Sequence, residues 1–432
     1  MFTNYRVIIL MAAIMALFAL VACGTAEPQI VEVERVVEKE VPVEVEVEKV
    51  VEVEKQVPVE VVREVQVEKE VPVEVTVERV VEVEKEVEVV KEVEVIKEVE
   101  VMAPEGPKEA IIFGDLNWSS ALLQNRIAQY IVEKGYGYPT DVKFGATLPL
   151  FQGLKNGDTD VAMEIWLPNQ DEAWNEARTE GAVLSVGKSL GSDWQSAFVI
   201  PAYLQEQYPE LDSVEDLTDP QYKDLFDTPE TGDKARLVSC VIGWACEVVN
   251  AKQVTGYGLD DHVEVINPGD GAAMNADLYA AYDKQEPWLG YQWGTNDPAL
   301  KLDLVRLEEP AYSNECWFTT KACAYEDATI LIAVNPNLPG RAPDVIEMLR
   351  NWDFNINIYK AVVQWQDANP DADTESAALW WLNSNPDVWG GWVTAAAKAN
   401  IQAALAAGEV AEGWPEEPPS NCLLYTSPSP RD

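Results

Sequence analysis

Two cysteines, Cys240 and Cys246, bracket a short loop that carries Gly243 and Trp244, just ahead of a helix whose pattern begins at about Cys246. The first turn of a helix has backbone N–H groups without intrahelical partners and carries the positive end of the helix dipole, which suits an anion. The face of an indole suits a cation. Gly243 stands where the backbone can take a conformation closed to residues with side chains. One loop of this kind can hold both ends of a small zwitterion. The same residues also fit a core Trp beside two reduced cysteines, and the loop alone does not separate the two readings.

The elements that must position this loop follow a repeating order. Ala110–Asn117 reads as an apolar strand, and a helix capped by Ser119 or Ser120 follows it to about Lys134, with Gly135 as its stop. Strand-like Asp141–Ala146, helix-like Leu148–Lys155, strand-like Asp160–Trp166 and helix-like Asn169–Thr179 come next, and Ala197–Ile200 is a further strand. After an acidic, turn-rich stretch the pattern restarts at Ala235–Cys240. It runs through His262–Ile266, Ala272–Lys284, Trp288–Trp293, Leu302–Leu307 and Ile330–Val334 into C-terminal helices. Strands alternating with helices predict an α/β fold with largely parallel sheets. Trp166 and Trp293 then fall at strand ends, as Trp118 does after the first strand. Trp380, Trp381, Trp389 and Trp392 fall in helices and read as core.

The 432 residues include 75 acidic and 31 basic side chains, for a formal charge of −44, which argues against nucleic acid as a partner. A single His, His262, and the absence of a nucleophile motif, a glycine-rich phosphate loop or metal-ligand spacing leave no catalytic residue, metal site or cofactor to name. Arg6, the apolar run Val7–Ala22 and Leu20-Val-Ala-Cys23 resemble a bacterial lipoprotein signal, residues 1–22. That resemblance implies cleavage before Cys23 and acylation of its thiol, hence attachment to the cell membrane from outside. Export into an oxidising compartment allows disulfides; Cys240 with Cys246, and Cys316 with Cys323, are the expected pairs. Residues 23–107 form a Val/Glu-rich spacer. Pro42, Pro58 and Pro72 recur in it, and residues 27–105 hold 25 acidic and 10 basic side chains. Prolines and β-branched residues disfavour a continuous helix, so an extended stalk is expected, with a valine-seamed coiled coil as the alternative. In the tail, 413–432, the run from Cys422 to Asp432 resembles translated sequencing-adapter sequence and reads as foreign to the chain.

Between about 110 and 410 the sequence resembles the substrate-binding proteins of glycine betaine/proline betaine ABC transporters. The resemblance rests on Gly157-Asp-Thr-Asp-Val-Ala-Met-Glu-Ile-Trp166-Leu-Pro168, on Cys240-x5-Cys246 around Gly-Trp-Ala, on Gly290-Tyr-Gln-Trp293, and on Ala272-Ala-Met-Asn-Ala-Asp277 ahead of Tyr282-x-Lys284. It implies a two-lobed periplasmic-binding-protein (type II) fold with the ligand between the lobes. It also implies an ammonium box of Trp166, Trp244 and Trp293, and a carboxylate held by the backbone amides of Ala245 and Cys246. The family's His four residues after the first Trp is Gln170 here, and Ala245 replaces a Gly. Chemistry agrees with the box. A quaternary ammonium has no N–H to donate, so aromatic walls must select it, at about 0.5–2 kcal/mol for each desolvated contact.

The sequence therefore predicts a substrate-binding domain over 108–412, with lobe one at about 110–234 plus 327–412 and lobe two at about 235–326. The expected function is an extracytoplasmic receptor that delivers a betaine-like osmolyte to the permease of an ABC importer. A choline- or carnitine-binding protein with the same cage, a surface-anchored protein outside transport, and an enzyme stand as the alternatives. Glu164 shares the face of Trp166 if the strand is regular, which puts a carboxylate beside the cage.

Overall fold

A computed structural model describes residues 107–191 and 196–415. The signal, Cys23, the stalk, Trp194 and the tail from 416 onward lie outside the described residues. Two five-stranded sheets organise the rest. The first contains β1 (Ile111–Leu116), β2 (Thr140–Gly145), β3 (Val161–Leu167), β4 (Leu184–Lys188) and β10 (Thr329–Val334), in the order β2-β1-β3-β10-β4. The second contains β5 (Ala197–Pro201), β6 (Ala235–Val238), β7 (Val263–Ile266), β8 (Gly290–Gln292) and β9 (Leu304–Arg306), in the order β7-β6-β8-β5-β9.

Two expectations about the sheets need correction. The sheets are mixed, not largely parallel: β1 pairs parallel with β2 and β3, but β10 runs antiparallel to β3 and β4. Likewise β6 pairs parallel with β7 and β8, while β5 runs antiparallel to β8 and β9. In each sheet the reversed strand is the first one reached after the chain leaves the other sheet, so it enters from the opposite end. The second correction concerns the lobe boundary. The segment at 197–201, assigned to lobe one from the sequence, is a central strand of the second sheet. The first crossing therefore precedes Ala197 and does not fall near 234. All five residues of β5 are buried, as its uninterrupted apolar run requires, and a run with no polar face carries no mark of which sheet it joins.

Helices cover the sheets. In lobe one they are α1 (Ser119–Tyr130), α2 (Thr147–Asn156) and α3 (Asp171–Thr179); in lobe two, α4 (Ala245–Gly256) and α5 (Gly271–Lys284). The C-terminal helices α6 (Pro343–Arg350), α7 (Ile356–Ala368), α8 (Thr374–Ser384) and α9 (Ala395–Ala407) follow. The last of these follows a short helical turn at Pro386–Trp389, from which Gly390 and Gly391 separate it. Trp381, Trp389 and Trp392 are core residues, and Trp380 stacks on Trp365. The helix α1 is capped by Trp118 in extended conformation, not by Ser119 or Ser120, which enter its first turn. Buried Arg126 on α1 ties the end of β1 to the start of α8 through Asp115 at 2.7 Å and Glu375 at 2.6 Å. Removing either carboxylate would leave a buried charge short of partners, so the loop between β1 and α1 is held from both sides. No helix among the described residues is long and apolar enough to cross a membrane.

Lobe two also contains a carboxyl group whose titration is tied to folding. Burial pushes Glu309 up to about 7, against the hydrogen bond from the Tyr257 hydroxyl at 2.8 Å and the charge of Arg306. Its folded value lies above the ordinary carboxylate value, so the folded state binds the proton more tightly. Stability from this group therefore rises as pH falls from about 7 to about 4.5 and is flat outside that window. Glu309→Gln is expected to be more stable than the wild type at pH 8 by about 1–3 kcal/mol, with the difference gone near pH 4. Urea titrations at both pH values check this; an equal difference at both would contradict it.

Candidate functional site

Parallel strands end where loops leave the sheet, and ligands of open α/β folds bind outside those ends. Four tryptophans converge there. Trp118 follows β1, Trp166 is near the end of β3, Trp244 precedes α4 and Trp293 follows β8. The first two come from lobe one and the other two from lobe two. All four are buried, between 4% and 9% exposed. The Trp244 ring lies 5.1 Å from that of Trp118 and 5.5 Å from that of Trp293, in edge-to-face arrangements. With Thr147, Asn169, Gln170, Ala245, Cys246 and Tyr291 they line one cleft, with about 360 Å³ of space including its mouth, a volume suited to a small molecule.

The polar edges of three indoles are tied to side chains that do not line the cleft. Trp118 Nε1 and Trp166 Nε1 both donate to Oε2 of Glu164, at 2.8 and 2.9 Å, and Trp244 Nε1 donates to Asn117 Oδ1 at 2.6 Å. What these rings offer the cleft is carbon and π surface. The Trp244–Asn117 bond also joins the two lobes, as does the bond from the Leu148 amide to the Gly243 carbonyl at 3.1 Å. On another contact between the lobes, the Tyr359 hydroxyl on α7 donates to Asp297 at 2.6 Å. The cleft is therefore closed.

Local sequence explains the loop at Trp244. Gly243 has φ +84°, a left-handed conformation that disfavours any side chain, and a Cβ there would also press on Ala146 at 3.1 Å. Trp244 is extended as the cap of α4, which makes Ala245 and Cys246 the first two helical residues. Their N–H groups face no intrahelical acceptor and border the cleft. Opposite, Gln170 is 3% exposed, and neither its side-chain N–H nor its carbonyl has a partner in the protein. A buried amide left unpaired costs free energy unless a ligand completes it. The phenol of Tyr291 is fully buried beside Trp293 and held protonated by that burial, against its hydrogen bonds with Ser196 and Asn169.

A disulfide joins Cys240 to Cys246 across this loop, and a second joins Cys316 to Cys323 in the stretch between β9 and β10. Closing so short a loop contributes about 2 kcal/mol through chain entropy. The double variant Cys240→Ser, Cys246→Ser is expected to lose about that much in denaturant titration, and mass mapping of non-reduced protein is expected to find the pair joined. Free thiols at both positions would contradict this.

All seven residues singled out from the sequence line the cleft: Trp118, Trp166, Gln170, Trp244, Ala245, Cys246 and Trp293. Three lining residues were missed. Tyr291 had a signal, since it stands two positions before Trp293 and so on the same strand face. Asn169 adjoins Gln170, and Thr147 opens α2; neither residue type signals a site by itself.

Comparison with known proteins adds a family. The family described as the substrate-binding domain of ABC-type glycine betaine transport systems matches residues 109–384. The glycine betaine-binding periplasmic protein OusX of Dickeya dadantii is 24% identical over 304 residues, covering 62% of this chain and 82% of the relative. The glycine betaine/proline betaine-binding periplasmic protein of Salmonella typhimurium is 23% identical over 318 residues, covering 65% and 88%. Among solved structures, an ABC-transporter choline-binding protein in complex with choline superposes with a TM-score of 0.57 at 21% identity, over 68% of this chain and 98% of the other. Lactococcal OpuAC, closed and complexed with glycine betaine, gives 0.52 at 18% identity, over 66% of this chain and 100% of the other. These two structures share the fold.

Proposed function

Because this chain belongs to the family of substrate-binding domains of ABC-type glycine betaine transport systems, we propose that it captures glycine betaine, or a close quaternary ammonium relative, in the cleft between its lobes. As a member of that family it is an extracytoplasmic binding component of an ABC importer and not an enzyme. In our reading the trimethylammonium group sits among Trp118, Trp166, Trp244 and Trp293. The carboxylate meets the amides of Ala245 and Cys246, with the Gln170 side chain as a further donor.

The observation that carries this reading is the pairing of four indoles, drawn from both lobes, with an open helix N-terminus on one small cleft. The ligand touches both lobes at once, so it makes its full contacts only in the closed form and shifts the population toward it. The closed form is the one that would dock on the permease. Titration calorimetry with glycine betaine and choline tests the assignment. Choline fills the same box but offers the amides a hydroxyl, a weaker acceptor than a carboxylate, so glycine betaine is expected to bind about tenfold more tightly or better. Tighter choline binding would overturn the choice of ligand.

The same reading places the membrane attachment at Cys23, supported by the Leu20-Val-Ala-Cys23 box. Cys23→Ser is expected to move the protein from the membrane fraction to the soluble one on cell fractionation; retention in the membrane would contradict acylation at that thiol.

A further inference from the structure

Behind the indole box is a carboxylate that does not line the cleft and that the reading above does not use. Glu164 is fully buried. Its Oε2 accepts two indole N–H groups, from Trp118 and Trp166, and its Oε1 accepts Nε2 of Gln124 at 2.7 Å. The direction of each bond is fixed by chemistry. An indole N–H can only donate, so Oε2, which accepts two of them, carries no proton. Gln124 is oriented in the same way. Its Oε1 accepts the indole N–H of Trp352 at 3.0 Å and the hydroxyl of Ser189 at 2.7 Å, which leaves Nε2 for Glu164. These three donors are neutral, as is the Ser120 hydroxyl that also faces the carboxyl group, and no lysine or arginine pairs with Glu164 among the described residues. Both oxygens thus act as acceptors, the arrangement of a carboxylate, and it stands with no counter-charge one indole away from the cage.

We propose that Glu164 is the positioning and specificity-determining residue of the cage. It fixes the edges of Trp118 and Trp166, and it supplies through those rings the negative potential that favours a ligand of net positive charge over a zwitterion. Two effects act together. An indole that donates to an anion is polarised, which makes its face more attractive to a cation. The anion also attracts the ammonium directly across a medium of low dielectric. A zwitterion gains less, because its own carboxylate is repelled by the same charge. Burial raises Glu164 against its hydrogen bonds, and a cation bound in the cage would draw it back toward its charged form. This inference rests on the cage reading and deepens it. The cleft discriminates by two opposed devices, with the amides at Ala245 and Cys246 favouring the betaine and Glu164 favouring a simple cation.

Calorimetry on two variants tests this. Glu164→Gln removes the charge but turns an amide N–H toward Gln124. The swap Glu164→Gln with Gln124→Glu keeps the hydrogen bonds to the indoles and between the two side chains: the new amide still accepts both indoles and donates to the new carboxylate, which still accepts from Trp352 and Ser189. The swap moves the charge one side chain away from the cage. With an effective dielectric constant of about 20, Glu164→Gln is expected to weaken choline about tenfold or more and glycine betaine about threefold. The swap is expected to lower the choline-to-betaine affinity ratio by about threefold. If the swap folds, binds both compounds and leaves that ratio unchanged or raised, the specificity role is overturned while the cage stands. If the wild type binds neither compound, the cage reading fails and takes this inference with it.

Discussion

Trp244→Ala is expected to abolish measurable binding of glycine betaine, lowering its affinity at least about a hundredfold. Trp244 is the one cage residue in ring contact with tryptophans of both lobes, 5.1 Å from Trp118 and 5.5 Å from Trp293. Truncation removes its own share of cation–π attraction, about 2 kcal/mol when desolvated. It also removes the bond to Asn117 that joins the lobes, so the closed form itself becomes less favourable. Deleting a buried Trp costs about 3–5 kcal/mol of stability, and a melting curve must therefore accompany the titration. Trp244→Phe provides the control for folding. It keeps an aromatic face and loses the donor, and an affinity between those of the wild type and Trp244→Ala is expected. Full affinity in a folded Trp244→Ala protein would overturn the site.

Ala245→Pro is expected to weaken glycine betaine about tenfold to a hundredfold while weakening choline less. Position 245 opens α4, where a missing N–H breaks no helical hydrogen bond and the fixed φ of proline suits the helix. The preceding residue is already compatible: Trp244 has φ −80° and ψ 155°, within the range that a following proline requires. The substitution thus deletes one donor to the carboxylate with little disturbance elsewhere. A charge-assisted hydrogen bond contributes about 1.5–3 kcal/mol, which sets the expected range. Calorimetry on both ligands checks it, and an equal loss for both would mean that the proline ring blocks the cleft and that the amide does not select a carboxylate.

The parts of this account that were legible in the sequence are those fixed by local pattern. Trp166, Trp244 and Trp293 stand at strand or helix ends in short motifs, and it was the resemblance of those motifs to the betaine-binding family that grouped them in one site. Trp118 was legible only by its place after the first strand. The helix boundary at Trp244 was legible to one residue because Gly243 marks the turn.

What could not be read depends on pairing at a distance. The segment at 197–201 is apolar on both faces, so nothing in it distinguishes one sheet from the other, and only its partners β8 and β9 settle the matter. The strand β4, Leu184–Lys188, was missed because it is an edge strand of mixed burial with a glycine inside. The face of Glu164 followed from alternation, but its orientation did not. Whether that carboxylate met the ligand or the indole edges depended on Trp118, 46 positions earlier in the chain.

The most direct test of the central claim is a crystal structure of this protein with glycine betaine. The expected density places the three methyl groups among Trp118, Trp166, Trp244 and Trp293, with the ammonium within about 6 Å of the ring centroids. It places the carboxylate within hydrogen-bond reach of the amides of Ala245 and Cys246. Density for the ligand outside these indoles, or a carboxylate turned away from the start of α4, would contradict it.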